Sequence, residues 1–395
     1  MSKENNSNHE GFTRRRFMIS GTGAIVAAGS LAAMKLQASS PDPITSRSGS
    51  LEGFICPPCG QDCDKLTFDK PGSCPQCGMT LISADPEKAN VTTVAILLFN
   101  SAEIIDFAGP WEVFGGAGFR VFTVAEKATP IVAVYGQKVT ADYTFENCPK
   151  ADVLLVPGGG VRTEVNNPKL ISWIQENAKR ATHVISVCTG AFLLAKAGLL
   201  DGLTATTVSG GIDGLAKAGN NIKVVYDKRY VDNGKIITTA GLSSGIDGAL
   251  YLVSKITNKV TAQKVALGIE YNWEPDAKFA RAAYADRYLP DIKGLESETV
   301  SINGDTERWE LRTLVSNPAS LAAIIDVAQK EIVSNTPYTS SQVAITRRTA
   351  RDDRSEFDWK FKDDKGRNWR GECVASASMD AKGKFDVTLR LIRGR

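Results

Sequence analysis

Short apolar runs alternate with amphipathic runs through the middle of the chain. One run, 168–181, places its apolar residues at the spacing of an amphipathic helix. The runs rich in β-branched residues, which read as buried strands, are 91–99, 119–127, 151–160 and 182–188. Strands that alternate with helices predict a parallel sheet covered by helices on both faces. We therefore predict an α/β domain over residues 91–290.

Beyond residue 291 the pattern changes to apolar and polar residues in alternation. The run 317–333 predicts a helix with Asn317 as its N-cap and Pro318 as its first residue. The alternating runs that follow, each bounded by turn signals, are 341–349, 356–364, 368–378 and 384–393. The spacing predicts a small α+β domain over 291–395, with an antiparallel sheet and one helix on its face.

The first 39 residues form a segment of their own. Consecutive arginines in "TRRRFMIS" precede the weakly hydrophobic stretch "GTGAIVAAGSLAAM" and the small-residue exit "LQAS". This arrangement resembles a twin-arginine export signal, which implies a periplasmic or otherwise exported protein, with cleavage near Ala38 or Ser39. The stretch of 14 residues is shorter than the roughly 20 that a spanning helix needs. We expect no stable membrane span once this segment is removed.

Charge excludes one class of partner. The formal net charge is +3, and the five basic and two acidic residues of the first 39 account for all of it. The remainder of the chain is neutral overall, so the sequence predicts no nucleic-acid partner. A Ser- and Pro-containing stretch, 40–52, reads as a linker to the next segment.

Residues 53–84 carry a pattern of cysteines typical of a metal site. The pairs are Cys56 with Cys59 and Cys74 with Cys77, two CxxC motifs separated by 14 residues. Four thiolates suit zinc or another thiophilic metal, and metal binding would supply most of the folding energy of a segment this poor in apolar residues. Cys63 either replaces Cys59 as a ligand or is a spare thiol. The competing interpretation is a pair of disulfides in an oxidising compartment.

The same segment resembles the heavy-metal-binding domain found beside copper-transporting ATPases and efflux proteins, above all in "PGSCPQCGM". That family has a His shortly after its first Cys. This chain has no His in the segment and has Cys59 and Cys63 instead. The resemblance therefore implies a metal-binding module and leaves the ligand set and the metal open.

Candidate catalytic groups follow the predicted strands of the α/β domain. Asp106 comes after the first strand, Gly158 and Gly159 after the strand ending in "LLVP", and Cys188 between a strand and a helix. Active sites in parallel sheets lie beyond the carboxyl ends of the strands, so these residues are expected to meet. We predict that the N-terminus of the following helix lowers the pKa of the Cys188 thiol.

Four motifs, "EIIDFAGPWEVF", "ADYTFENCPKADVLLVPGGG", "VISVCTGAFLLAKAGLLDGLTATT" and "ITTAGLSSGIDGALYLV", resemble the ThiJ/PfpI family of the class I glutamine-amidotransferase-like superfamily. The resemblance implies a flavodoxin-like parallel-sheet sandwich and a homodimer. Within the family, the subgroup with "DFAGPWEVF" and "CTGA" is similar to isonitrile hydratases and to the sensor domains of arabinose-regulator-type transcription factors. Similarity to the hydratases implies Cys188 as nucleophile, Asp106 as acid and base, Thr189 beside them, and backbone N–H groups of Gly158 and Gly159 facing the substrate.

Two further positions bear on the chemistry. Asp247 matches a family position near the pocket, and an Asp early in a helix is equally a partner for the helix dipole. His183 lies five residues before Cys188, about 16 Å away along an extended strand. Since the only other histidine is His9, the sequence predicts a cysteine and carboxylate site without histidine, and no cofactor in it.

The preferred interpretation is an exported, metal-carrying enzyme that adds a cysteine to a small electrophilic molecule, most like an isonitrile hydratase. One alternative is glyoxalase or deglycase chemistry on small aldehydes, with Cys188 forming a hemithioacetal. The other is a non-enzymatic protein that handles metal, binds a ligand or senses oxidation through Cys188.

Overall fold

The computed structural model describes residues 53–56, 61–79, 81–84, 91–277, 279–316 and 320–394. The predicted export signal, the linker and Cys59 lie outside these ranges. No helix in the described part of the chain is long and apolar enough to cross a membrane.

The first described unit is a small antiparallel sheet around cysteines. Its strands, in the spatial order β2-β1-β3, are β1 (Phe54–Ile55), β2 (Thr67–Phe68) and β3 (Ile82–Ser83). The buried side chains between them are Cys56, Cys63, Cys74 and Leu81. So few apolar groups stabilise a fold weakly, as the sequence predicts for this segment.

Strands β4 to β14 belong to the α/β domain. In chain order they are Thr93–Leu97, Arg120–Ala125, Ile131–Val132, Lys138–Val139, Tyr143–Thr144, Val153–Val156, His183–Ser186, Thr204–Ala205, Lys223–Val224, Tyr230–Asn233 and Ile236–Thr239. Seven of them form one sheet in the order β13-β14-β10-β9-β4-β5-β8, parallel except for β13 at one edge. The pairs β6–β7 and β11–β12 lie outside it. The predicted parallel sheet is therefore confirmed, except that the antiparallel edge strand β13 makes it a mixed sheet.

Helices cover this sheet on both sides, as its strands, buried on both faces, require. The helices of the domain are α1 (Ile104–Gly116), α2 (Pro168–Arg180), α3 (Gly190–Lys196), α4 (Ile212–Leu215), α5 (Ser244–Ile256) and α6 (Lys259–Gly268). Helices α1, α5 and α6 pack together, and α3 packs with α2 and α4. Asn167 caps α2 by accepting the N–H of Lys169 and Leu170, and Pro168 is its first residue.

A six-stranded antiparallel sheet with one helix on its face forms the C-terminal domain. Its strands are β15 (Glu296–Gly304), β16 (Arg308–Ser316), β17 (Ala344–Ala350), β18 (Arg354–Lys362), β19 (Asn368–Ala377) and β20 (Phe385–Arg393). Their order is β15-β16-β20-β19-β18-β17, and α7 (Leu321–Asn335) packs on β17, β18 and β19. The predicted α+β class is confirmed, and the hairpin β15–β16 is an addition that the sequence analysis did not find.

The start of α7 differs from the prediction. Ser320 is the N-cap, because its side chain accepts the N–H of Ala323 at 3.1 Å, and the helix begins at Leu321. The predicted cap residues, Asn317 and Pro318, lie outside the described residues. A helix can begin either after Asn317, with Pro318 as its first residue, or after Ser320. The residue types alone therefore did not decide which residue is the N-cap.

One cross-strand pair generates a stability prediction. Gly371 lies opposite Trp359, and a Cβ at Gly371 would lie 2.1 Å from two carbons of the fully buried indole ring. We expect Gly371→Ala to lower the free energy of unfolding by about 1 to 3 kcal/mol, because the overpacked ring has to move. Urea unfolding followed by tryptophan fluorescence measures the change. Gly268→Ala, at a helical position with no atom within 4 Å of the new Cβ, is the control and should change stability by less than about 0.5 kcal/mol.

Candidate functional site

Cys188 lies on a sharp turn between β10 and α3. Its φ angle of 55° is in the left-handed region, which is uncommon for a residue with a side chain. Two hydrogen bonds hold the turn: the Cys188 N–H donates to the carbonyl of Ala240 at 3.1 Å, and the Thr207 hydroxyl donates to the Cys188 carbonyl at 2.6 Å. The thiol is therefore presented by a backbone fixed at both of its polar groups.

Asp106 lies in the first turn of α1 and is fully buried. Its Oδ2 accepts the N–H of Gly158 at 3.0 Å, while the N–H of Glu103 donates to the carbonyl of Gly158 at 2.9 Å. A Cβ at Gly158 would lie 2.8 Å from Oδ2 and 2.6 Å from the backbone nitrogen of Thr189. Only glycine fits between the carboxylate and the cysteine turn.

Thr189 ties the glycine turn to the cysteine turn. Its hydroxyl accepts the N–H of Gly159 at 2.8 Å and lies 2.9 Å from the carbonyl of the same residue, to which it donates. The two N–H groups that the sequence analysis assigned to the substrate are thus already donated to protein oxygens, that of Gly158 to Asp106 and that of Gly159 to Thr189. In this arrangement they orient the side chains of Asp106 and Thr189.

Burial changes the acidity of the Asp106 carboxyl. Its pKa is raised to about 7, chiefly by burial and to a smaller extent by the nearby Glu103 carboxylate, against the lowering by the N–H groups of Gly158 and Leu242 and by the Cys188 thiol. Oδ1 of Asp106 has no hydrogen-bond partner of ordinary geometry in the described structure. A buried carboxyl that has one unpartnered oxygen and a pKa close to neutral pH is able both to accept and to deliver a proton.

The Cys188 thiol shows the opposite of the predicted shift. Burial raises its pKa to about 12, and the negative charge of Asp106 raises it too, against the lowering by the Thr189 N–H and hydroxyl. Helix α3 has only seven residues and its N-terminus does not overcome these effects. The prediction of a depressed pKa is wrong: burial beside the Asp106 carboxyl favours the neutral thiol over the thiolate.

Two contributors to this site were missed from the sequence. Glu103 raises the pKa of both Asp106 and Cys188, and the hydroxyl of Thr207 fixes the Cys188 carbonyl. The signal for Glu103 was its position three residues before Asp106, one helical turn away at the start of α1. Thr207 had no signal in the sequence, because it lies 19 residues beyond Cys188 and approaches only through the fold.

Asp247 is engaged away from the thiol. Its carboxylate pairs with the Arg229 guanidinium and accepts the hydroxyl of Tyr271 at 3.0 Å. Burial raises its pKa although Arg229 lowers it. Its described partners are thus structural groups of the same domain, and neither Cys188 nor Asp106 is among them. His183 begins β10, at the end opposite Cys188, and contacts the Thr182 hydroxyl at 3.1 Å.

The N-terminal cysteines are close enough to bind a metal. The sulfurs of Cys56, Cys63, Cys74 and Cys77 all lie within 4.8 Å of one another. A tetrahedral zinc site with Zn–S bonds of about 2.3 Å places its sulfurs about 3.8 Å apart. The separation of 3.8 Å between Cys56 and Cys63 matches this value, and Cys56 and Cys77 are 3.2 Å apart. The donor set fits a thiophilic ion, with Cys63 as a member.

The knuckle around the second cysteine pair has a defined shape. The N–H of Gly78 donates to the carbonyl of Cys74 at 2.8 Å, and Gly78 has a φ of 73°, which glycine adopts without strain. The turn directs both sulfurs of the pair toward Cys56 and Cys63.

Comparison with known proteins identifies the α/β domain. Residues 92–255 match the model of the DJ-1/PfpI family. An isonitrile hydratase of Pseudomonas putida is 35% identical over 180 residues, which cover 45% of this chain and 78% of the hydratase. The chain belongs to the DJ-1/PfpI family.

Other relatives of the DJ-1/PfpI domain have different names. A deglycase of Pyrococcus horikoshii is 28% identical over 146 residues, covering 35% of this chain and 88% of the deglycase. The crystal structure of a THiJ/PfpI family protein from Pseudomonas syringae is 28% identical, covers 49% of this chain and 83% of that chain, and superposes with a TM-score of 0.44. The family match ends before the C-terminal domain begins.

The raised pKa of Asp106 in the DJ-1/PfpI domain has a consequence for stability. Because the folded state binds the proton more tightly than the unfolded chain, the native protein loses stability as pH rises from about 4 through about 7. Asp106→Asn removes this loss. We expect the variant to be more stable than the native protein by about 1 to 3 kcal/mol at pH 8, with the difference disappearing near pH 4. Urea unfolding at several pH values measures it.

The control variant is Asp201→Asn, because the pKa of Asp201 is shifted in the opposite direction from that of Asp106. Hydrogen bonds from Asn220 lower the pKa of Asp201, so its carboxylate stabilises the fold at a pH above its ordinary value. Relative to the native protein, this variant should be less stable by an amount that changes little between pH 5 and pH 8 and shrinks only below about pH 4, where the carboxylate is protonated. The sign is the reverse of that for Asp106→Asn. A gain for Asp106→Asn that is the same at pH 4 and pH 8 would contradict the assignment of a raised pKa.

Proposed function

We propose that the DJ-1/PfpI domain is a cysteine-dependent enzyme that hydrates small isonitriles to N-substituted formamides. The observation that carries the proposal is the buried pair of Asp106 and Cys188: each group changes the pKa of the other, and Oδ1 of the carboxylate has no hydrogen-bond partner of ordinary geometry among the described residues. The relative named isonitrile hydratase supports the reaction class. The unpartnered oxygen is where a proton in transit would be held.

The chemistry begins with addition of the thiol to the isonitrile carbon. The sulfur forms a bond to that carbon while the thiol proton passes to Asp106 and from Asp106 to the same carbon, giving a thioimidate on Cys188. Because the thiol pKa of about 12 lies far above that of the carboxyl, free thiolate is scarce and proton transfer has to accompany the attack. The protonation state of Asp106 is therefore the same after this step as before it.

Water then completes the reaction. Asp106 as carboxylate accepts a proton from a water molecule that attacks the thioimidate carbon, and passes that proton to the substrate nitrogen. The bond between carbon and sulfur then breaks as the new hydroxyl becomes the formamide carbonyl, and the hydroxyl proton passes through Asp106 to the sulfur of Cys188. The sum is one isonitrile and one water converted into one formamide. The N–H of Thr189, which lies close enough to lower the thiol pKa, is placed to stabilise the departing sulfur.

The activity assay tests the pair directly. We expect the protein to convert a neutral alkyl isonitrile into its formamide, detected by mass spectrometry, and Cys188→Ser to abolish turnover. Asp106→Asn should lower kcat/KM by a factor of about 100 or more, because it removes the proton carrier. Cys148→Ser, which removes a thiol hydrogen-bonded to the Pro149 carbonyl, is the control and should leave kcat/KM unchanged.

The relative named deglycase supports a second candidate function, addition of Cys188 to a small aldehyde. Turnover of methylglyoxal without glutathione, together with no turnover of isonitriles, would establish this candidate in place of the first. Absence of both activities would favour a binding or redox-sensing protein. We further propose that the chain is exported through the segment 1–39 and that it forms a homodimer.

We propose that the cysteine module binds zinc through Cys56, Cys63, Cys74 and Cys77. The set is supported by four sulfurs that lie within 4.8 Å of one another, with Cys56 and Cys63 at the separation found in a tetrahedral zinc site. Bound metal would hold the three short strands together.

A pair of variants tests the ligand set. We expect Cys63→Ser to lower the zinc retained after purification from about one ion per chain to well below half, because an alcohol is a poor zinc ligand. Cys59→Ser is the matched control and should retain the ion. Metal content by atomic emission is the measurement. Loss of zinc from Cys59→Ser and its retention by Cys63→Ser would assign the two CxxC pairs as ligands instead.

A further inference from the structure

The C-terminal domain is not accounted for by the family match, so its contacts with the α/β domain are informative. At the junction of the two, the carboxylate of Asp213, in α4, accepts hydrogen bonds from two tyrosine hydroxyls. One belongs to Tyr226 of the same domain, and the other, at 2.5 Å, belongs to Tyr338 of the C-terminal domain. A single carboxylate therefore joins residues 125 positions apart in the sequence.

A buried arginine reinforces this junction. The guanidinium carbon of Arg287 lies 4.0 Å from the ring centroid of Tyr226 and 4.2 Å from that of Tyr338. The side chain is 9% exposed, and the nearest carboxylate, that of Asp364, lies 3.8 Å away. Cation–π attraction grows as the cation is withdrawn from water, and here the cation is largely buried while the Tyr338 ring is 37% exposed. We call Asp213, Tyr226, Tyr338 and Arg287 the tyrosine clasp.

The clasp lies at one end of a segment whose other end contacts the cysteine turn. Thr207, six residues before Asp213, donates its hydroxyl to the Cys188 carbonyl at 2.6 Å. Between them, residues 209–211 form a helical turn that packs against residues 281–283 of the connection to the C-terminal domain. Both ends of the segment 207–213 are thus anchored, one by Cys188 and the other by the clasp.

The packing of Val208 strengthens the link. A Cβ on Gly241 would lie 3.0 Å from a methyl of Val208, so the two residues are already in close contact. Gly241 follows Ala240, whose carbonyl accepts the N–H of Cys188. Movement of the segment 207–213 would therefore disturb the partners of both polar groups of the Cys188 backbone.

We propose that the C-terminal domain is a working part of the Cys188 site, in which the tyrosine clasp holds the segment 207–213 and Thr207 thereby keeps Cys188 in its left-handed conformation. Tyr338 is then a positioning residue supplied by a different domain. The inference rests on the proposed function only in taking Cys188 as the reacting group.

Alkylation of Cys188 by iodoacetamide, followed on its own peptide by mass spectrometry, tests the proposal in the full chain. We expect Tyr338→Phe, which removes one hydroxyl and keeps the ring, to raise the alkylation rate of Cys188 by a factor of about 3 or more. The reason is that loss of a hydrogen bond raises the population in which the segment 207–213 is displaced and the thiol is exposed. Thr207→Val should raise the rate in the same way.

The double variant shows whether Tyr338 acts on Cys188 through Thr207 or by a general loss of stability. If the clasp acts through Thr207, Tyr338→Phe combined with Thr207→Val should react no faster than the faster single variant, whereas independent effects would multiply. Cys373, buried in the C-terminal core, serves as an internal reporter, and its alkylation rate should not change. Tyr284→Phe, whose ring packs on Trp309 and Phe279 near the same junction, is the matched control.

Two results would overturn the proposal: a Cys188 rate in Tyr338→Phe within about 1.5-fold of the native rate while Thr207→Val is faster, or effects of the two substitutions that multiply. If Tyr338→Phe lowers the Tm and exposes Cys373, Asp213→Asn in the α/β domain gives the same comparison. Since alkylation needs no substrate, a failure of isonitrile and aldehyde turnover would count against the proposed function alone.

Discussion

Close approach of main chain at the carboxyl edge of the central sheet is the constraint on which the candidate site depends. The loop after β4, the turn after β9 and the turn after β10 approach one another there at glycine residues. A Cβ at Gly159 would lie 2.1 Å from the Ser101 carbonyl, and one at Gly190 would lie 2.2 Å from the Val156 carbonyl. Glycine at these points lets backbone groups hold Asp106 and Thr189 directly, without an intervening side chain.

This geometry sets the chemical character of the site. The same burial that packs the three turns together removes water from Asp106 and Cys188 and raises the pKa of both. The result is a pair that holds its proton and passes it, in contrast to a nucleophile that is ionised at rest. Addition to a neutral electrophilic carbon suits such a pair, because the proton that leaves the sulfur is the one that the carbon gains.

Much of the architecture was predictable because apolar periodicity reports burial, and burial follows from the sheet. Buried strands such as Val153–Val156 appear in the sequence as unbroken apolar runs. The hairpin β15–β16 was missed because all but the last residue of Glu296–Gly304 is exposed, so that strand carries only a weak apolar signal, from Val300 and Ile302. The position of Cys188 was predictable from a strand followed by a helix, but the direction of its pKa shift was not, since desolvation depends on packing from distant segments.

The cysteine module shows a related limit. Spacing favoured Cys59 as the partner of Cys56, whereas the described cluster includes Cys63, which a helical turn of residues 62–65 brings to Cys56. Spacing alone does not encode that turn. In the same way, Tyr338 and Asp213 have no local pattern that links them, and only the docking of two domains brings them together.

The hydrogen bonds of Gly158 with Glu103 and Asp106, at the start of α1, join segments that are far apart in the sequence. This separation affects the order of events during folding. The groups that meet at Cys188 come from strands separated by roughly 30 to 90 residues, and parallel pairing over such separations forms late because loop closure comes first. Until that pairing is complete, Cys188 is an ordinary thiol with a pKa near 8.5. The finished sheet buries the thiol. Cys188 is therefore most accessible to oxidation and disulfide exchange before folding is complete, and least accessible in the folded domain.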